Sequence, residues 1–177
     1  MTAIDFLKGK WLGHPLHPAV VHIPVGLWPA ALIFDLLSRI GSGNNALVQL
    51  SFFCIAIGML AILPAIPSGL ADWSEIKKEK PAWKIGLWHM ILNLFATVFF
   101  AINLGLRAGE FRTATTVETP ALLLSALGVV ILAVSAYLGG LMVFDHGINV
   151  ARQSKKKWRK IAERGGANLP ADKEKKA

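Results

Sequence analysis

The chain has 177 residues, 54% hydrophobic and only 17% charged, with a mean hydropathy of +0.49, whereas a soluble domain is about 25% charged; the composition excludes an ordinary water-soluble globule and predicts a membrane protein. The formal net charge of +8 would suit a nucleic-acid binder, but the basic residues sit in short segments flanking apolar runs and not along one amphipathic face, so no nucleic-acid partner is expected. The one cysteine, Cys54, lies within the run SFFCIAIGML, which excludes a disulfide framework or a thiol pair for a metal.

Residues 1–17 form an N-terminal segment ending in a His/Pro motif. Its opening, MTAIDFLKGKWLG, has no continuous apolar stretch and no small-residue cleavage site, so no removable signal peptide is expected. Residues 18–148 are expected to be a four-span transmembrane domain. Apolar segments at 19–40, 46–70, 83–106 and 120–144 are each long enough, at about 1.5 Å per residue, to cross a hydrocarbon core of about 30 Å. Only helices satisfy their own backbone there without closing into a barrel. The separators GSGNN, SEIKKEKP and RAGEFRTATTVETP are short, which predicts an all-α, up-down-up-down four-helix bundle. Pro18, Pro81 and Pro120 fall at or near the starts of segments one, three and four, where a missing N–H is harmless.

Orientation follows from the flanking charges. Of the 19 Lys and Arg residues, only Arg39, Arg107 and Arg112 fall on the side away from the termini, so both termini are expected to be cytoplasmic. Trp11, Trp73, Trp83 and Trp158 fit an aromatic belt on that face. Residues 149–177 begin as a basic segment and end polar, which predicts a helix on anionic headgroups followed by disorder.

The up-down order brings all five histidines to one face. His14, His17 and His22 enter helix one there, Asp72 and Trp73 close helix two, His89 lies in the first turns of helix three, and Asp145 and His146 close helix four. Ionisable groups at the edge of hydrocarbon cost free energy unless paired or ligating, so they mark a site. His22 and His89 lie about one and two turns inside their helix starts. Gly-Leu-Trp occurs twice, at Gly26–Trp28 and Gly86–Trp88, so two helices present a histidine beside a gap. Gly139 and Gly140 offer similar room on helix four. Imidazoles with glycine beside them suit a porphyrin slot between helices. The plainer alternative is close helix packing with histidines bonding across helices. His14, His17, Asp72 and His146 offer a different set, suited to a divalent metal, although Pro15 and Pro18 keep His14 and His17 off one helical face. Asp35 and Arg39, four residues apart, are expected to form a local ion pair at the far interface.

The opening HPLHPAVVHIPVGLWPAALIFDLL, the close of helix two in SGLADW, His89, and the helix-four ending GGLMVFDHGINV resemble the bacterial membrane family known as domain of unknown function 2231. The resemblance spans residues 13–150. It implies a four-span domain of the bacterial cytoplasmic (inner) membrane, found in some proteins fused to Rieske-type or cytochrome-type redox domains. This chain carries no CxxCH, so an electron partner is expected to be a separate protein or membrane complex. The sequence therefore predicts a multi-pass redox subunit holding b-type haem through His22 and His89, with Gly26, Gly86, Gly139 and Gly140 making room. Its rival is a non-redox scaffold or assembly subunit whose histidines are structural or bind a divalent metal. No nucleophile and base constellation points to an enzyme.

Overall fold

A computed structural model describes residues 1–40, 42–150 and 155–169. Among them every regular element is helical: a short α1 (Ala3–Leu7), a 3-10 turn (Lys10–Leu12), then α2 (Leu16–Ser38), α3 (Asn45–Ser74), α4 (Pro81–Arg107), α5 (Thr119–Phe144) and a final α6 (Lys155–Arg164). The four helices α2 to α5 are each long and apolar enough to cross a membrane, and consecutive ones run antiparallel. Their outward faces carry exposed Leu60, Leu63, Leu123 and Val130, as a surface solvated by lipid tails requires.

The helix starts follow local chemistry. Asn44 caps α3 by accepting from the Ala46 N–H at 2.9 Å, which satisfies one of the donors that a helix leaves free at its first turn. Pro81 is the first residue of α4 and Pro120 stands in the first turn of α5. α2 begins at Leu16, three residues before the apolar run, because Pro18 lies in the first turn, where its missing N–H would be unbonded anyway. His17 is thereby helical. Four further prolines lie inside helices, Pro24 and Pro29 in α2 and Pro64 and Pro67 in α3.

The bundle is built from two hairpins. α2 packs along α3 and α4 along α5, with sparser contact between the pairs. The far-end connections are stitched together, since the Asn44 N–H donates to the Thr115 carbonyl at 2.7 Å and the Asn45 amide donates to the Phe111 and Ala114 carbonyls at 3.1 and 2.6 Å. Gly43 makes this approach possible at φ +79°, where a Cβ would stand 2.9 Å from the Thr115 oxygen. At the other end Thr2 and Asp5 form a capping box on α1, and Lys8 pairs with Glu75 at the close of α3.

Midway down the bundle Trp28 and Phe100 stack with centroids 4.2 Å apart, both almost fully buried. Each ring fills a notch in its own hairpin partner: a Cβ on Gly58 would come within 2.2 Å of Trp28 Nε1, and one on Gly128 within 2.7 Å of Phe100 Cε2. Small residues let helices close up in lipid, where dispersion and not water exclusion drives association.

The hairpins repeat one another. His17, Trp28 and Asp35 of α2 stand 72 residues before His89, Phe100 and Arg107 of α4, and Gly58, Ala65 and Gly69 of α3 stand 70 before Gly128, Ser135 and Gly139 of α5. Matching residues meet across the bundle at three levels: histidines at one end, aromatic rings in the middle, an ion pair at the far end.

Candidate functional site

At the histidine end the imidazoles of His17 and His89 lie with centroids 6.4 Å apart and planes at 88°. Their settings match. His17 Nδ1 pairs with the Ala65 carbonyl at 2.9 Å and His89 Nδ1 with the Ser135 carbonyl at 2.7 Å, and a carbonyl only accepts, so Nδ1 carries a proton in both rings and the lone pair of a neutral imidazole lies on Nε2. Glycines of the neighbouring helices hold them: a Cβ on Gly69 would stand 2.8 Å from His17 Cε1, and one on Gly139 3.0 Å from His89 Cε1. The Ser135 hydroxyl donates to the His89 carbonyl at 2.9 Å, and the Asn93 amide donates to His89 Nε2 at 3.0 Å.

Both rings border a cavity of about 450 Å³ between the hairpins, lined mainly by apolar side chains, among them Val21, Leu70 and Leu132. That volume falls within the range of small-molecule sites, about 300–1,000 Å³. Met90 and Met142 border it as well, and Asp72 stands on its wall, accepting from the Asn149 amide at 2.6 Å.

The residues expected from sequence divide as follows. His22, His89, Gly86, Gly139 and Gly140 all border this cavity. The ring packed on His89, however, belongs to His17, which the sequence reading placed at the interface within the divalent-metal set. His22 lies five residues further along α2, is exposed, and turns its Nδ1 back to the Pro18 carbonyl. Gly26 faces open space and lies off the cavity wall, and Gly86 is covered by Trp73, whose Cδ1 a Cβ would approach to 2.6 Å. Of the alternative metal set, His17 and Asp72 border the cavity, His14 is exposed with its Nδ1 3.2 Å from the Pro15 carbonyl, and His146 is half-buried outside the cavity wall. Among the described residues no three His, Cys, Asp or Glu side chains are placed to hold a metal ion together. In the belt, Trp73 and Trp83 pack at 4.9 Å, while the Trp158 side chain and residues 151–154 and 170–177 of the tail lie outside the described residues.

The far end corrects one expectation outright. Asp35 pairs with Arg107 of α4 and not with Arg39: two parallel bonds of 2.8 and 2.9 Å join guanidinium and carboxylate, at exposures of 6% and 0%. Arg39 sits one residue past α2, so its side chain leaves the helix and donates to the Val117 carbonyl and the Thr119 hydroxyl at 2.8 and 2.9 Å. Ser51 and Ser125 each donate to the Asp35 carboxylate, the latter at 2.7 Å, and the Asn103 amide donates to the Ser125 hydroxyl at 2.8 Å. The pair thus has the added hydrogen bonds that removing two charges from water demands. Among the described residues, two atoms of this network, Asn103 Oδ1 and Arg107 Nε, have no protein partner. Arg107 borders a cleft of about 90 Å³ near Glu110 and Phe111, roomy enough for water. The signal available in the sequence was one acid and one base inside apolar segments, each demanding a partner.

Fold and site together define a four-span membrane protein built on two repeated helical hairpins, with an imidazole-bordered apolar cavity between them. The chain belongs to the family described as predicted membrane protein DUF2231, whose model matches residues 13–152. No curated protein and no solved structure matches it.

Proposed function

We propose that this protein is a redox subunit of the bacterial cytoplasmic membrane that holds b-type haem between its hairpins, where His17 and His89 would bind the iron. The observation that carries this reading is the matched pair of rings. A metal between two facing imidazole nitrogens lies about 2 Å from each, which with the ring radii sets centroids about 6 Å apart; the His17 and His89 centroids stand at 6.4 Å, a spacing that suits such a metal once His89 Nε2 leaves the Asn93 amide. Each ring has its Nδ1–H given to a backbone carbonyl, which fixes orientation and raises the basicity of the ligating nitrogen. Gly69 and Gly139 allow the rings their places, and the apolar cavity keeps water from the group. Bound there, haem would supply one-electron chemistry, and the basic flanks of the histidine end support a position near the cytoplasmic face, within reach of a separate redox partner.

One observation favours a second reading, a non-redox scaffold with structural histidines. His89 is hydrogen-bonded at both nitrogens, to Ser135 and Asn93, so ligation requires the Asn93 amide to swing aside.

The deciding measurement is the visible spectrum of detergent-purified protein, oxidised and dithionite-reduced. A low-spin haem spectrum lost in His17→Ala and in His89→Ala, and kept in His22→Ala, supports the proposal. Loss in His22→Ala with retention in His17→Ala makes His22 the partner of His89. A wild-type protein without haem bands leaves the scaffold reading.

A further inference from the structure

His17 and His89 are equivalent by position but not by surroundings. The residue 72 before Asn93 is Val21. Asn93 gives its amide to His89 Nε2 at 3.0 Å, whereas Val21, bordering the same cavity, has nothing to donate. Among the described residues His17 Nε2 takes no hydrogen bond, and the ring's hydrogen bond is through Nδ1. An imidazole ligates through a lone pair, and with Nδ1 protonated each ring has one, on Nε2. That of His17 is ready as the protein folds. That of His89 is already engaged.

We propose that Asn93 makes His89 the exchangeable member of the ligand pair. His17 would hold the group firmly, and His89, whose Nε2 the Asn93 amide competes for, would hold it weakly and be the one that an added probe displaces. This rests on the haem reading above. Asn93 acts through His89 and is a positioning residue. Its reach does not depend on a loop: it lies within α4 one turn after His89, and the Thr97 hydroxyl donates to its carbonyl at 2.8 Å. The internal repeat provides a partial control, because the first hairpin holds its imidazole by the same Nδ1–carbonyl bond with neither the amide nor the Ser135 hydroxyl.

One net hydrogen bond corresponds to an equilibrium factor of about 2 to 12. Removing the Asn93 amide leaves His89 Nε2 free to stay on iron, so carbon monoxide, used as the probe, should bind the reduced protein about 2- to 12-fold more weakly. The test titrates reduced, haem-containing wild type, Asn93→Val and Asn93→Ala with carbon monoxide, following the Soret band. Weaker binding in both variants, with the low-spin bands of the carbon-monoxide-free protein preserved, supports the proposal. Unchanged affinity in both overturns it and leaves the haem reading intact. Failure of both variants to hold haem while wild type does makes Asn93 a structural support and overturns it too. A wild type that never shows a Soret band overturns the haem reading and this one with it.

Discussion

Asp35 and Arg107 meet fork to fork inside the bundle, at 2.8 and 2.9 Å, from positions that the two hairpins share. Equivalent residues in a repeat are ordinarily alike, and two acids or two bases here would repel in a medium that screens little. Opposite charges make the hairpins complementary. Breaking such a pair strands a buried charge, at a cost of about 3–5 kcal/mol. Asp35→Ala and Arg107→Ala should therefore each lower the thermal midpoint in detergent by many degrees. The exchange Asp35→Arg with Arg107→Asp should recover most of the loss, since each new side chain occupies the other's equivalent place. A double variant no better than either single one would contradict the equivalence.

The aromatic layer gives a steric test. Gly58→Ala and Gly128→Ala would place a methyl group 2.2 Å from Trp28 and 2.7 Å from Phe100, an overpacking worth about 1–3 kcal/mol. Gly26→Ala meets nothing within 4 Å and should be neutral or stabilising by up to about 1 kcal/mol. Melting curves in one detergent should rank the three in that order, with Gly58→Ala lowest.

Orientation is open to labelling. In a Cys54→Ala background, Ser42→Cys at the exposed far end should react with an impermeant thiol reagent added to intact cells. Lys78→Cys, between α3 and α4, should stay protected until the membrane is broken. The reverse pattern would place the histidine cavity near the outer face.

The N-terminal segment carries an acid-sensitive contact. Lys10 first, and the Thr2 backbone and hydroxyl with it, hold the Asp5 carboxyl below the ordinary carboxylate range. A depressed carboxylate contributes stability that is present above its unfolded pKa, about 3.9, and is lost as pH falls below that value. α1 should loosen below about pH 4 while the bundle persists. Trp11, stacked on Phe6 at 5.5 Å and 10°, reports this as the fluorescence difference between wild type and Trp11→Phe, which should change over that interval and not at neutral pH.

Four spans, their antiparallel order and the proline-marked starts of α4 and α5 were legible because length, hydropathy and N–H accounting act locally. What pairs with what across the bundle was not. Asp35 and Arg39 look like partners by spacing, yet Asp35 faces inward and Arg39 lies past the helix end, so the partner comes from 72 residues away. Gly-Leu-Trp recurs at a spacing of 60, from Gly26 to Gly86. The packing follows a different one, visible in retrospect as an eleven-residue step: His17 to Trp28, His89 to Phe100, Gly58 to Gly69, Gly128 to Gly139. Eleven residues make about three helical turns, so each step stays on one face, and this was the readable sign that His17 matched His89. The early start of α2 hid it, since Pro15 and Pro18 look like breakers until the first turn is seen to need no N–H from Pro18.

The prolines within helices carry one more consequence. All four belong to the first hairpin, and α4 and α5 have proline only in their first turns. Pro24, Pro29, Pro64 and Pro67 leave the carbonyls of Val20, Val25, Leu60 and Leu63 without their usual helical donors, so α2 and α3 are each hinged where α4 and α5 are continuous rods. The bundle is mechanically lopsided: a pliant half carrying His17 leans on a stiff half carrying His89. Amide hydrogens around the hinges should exchange with solvent deuterium sooner than their counterparts 70 or 72 residues later, which makes the first hairpin the side expected to yield when the cavity is filled.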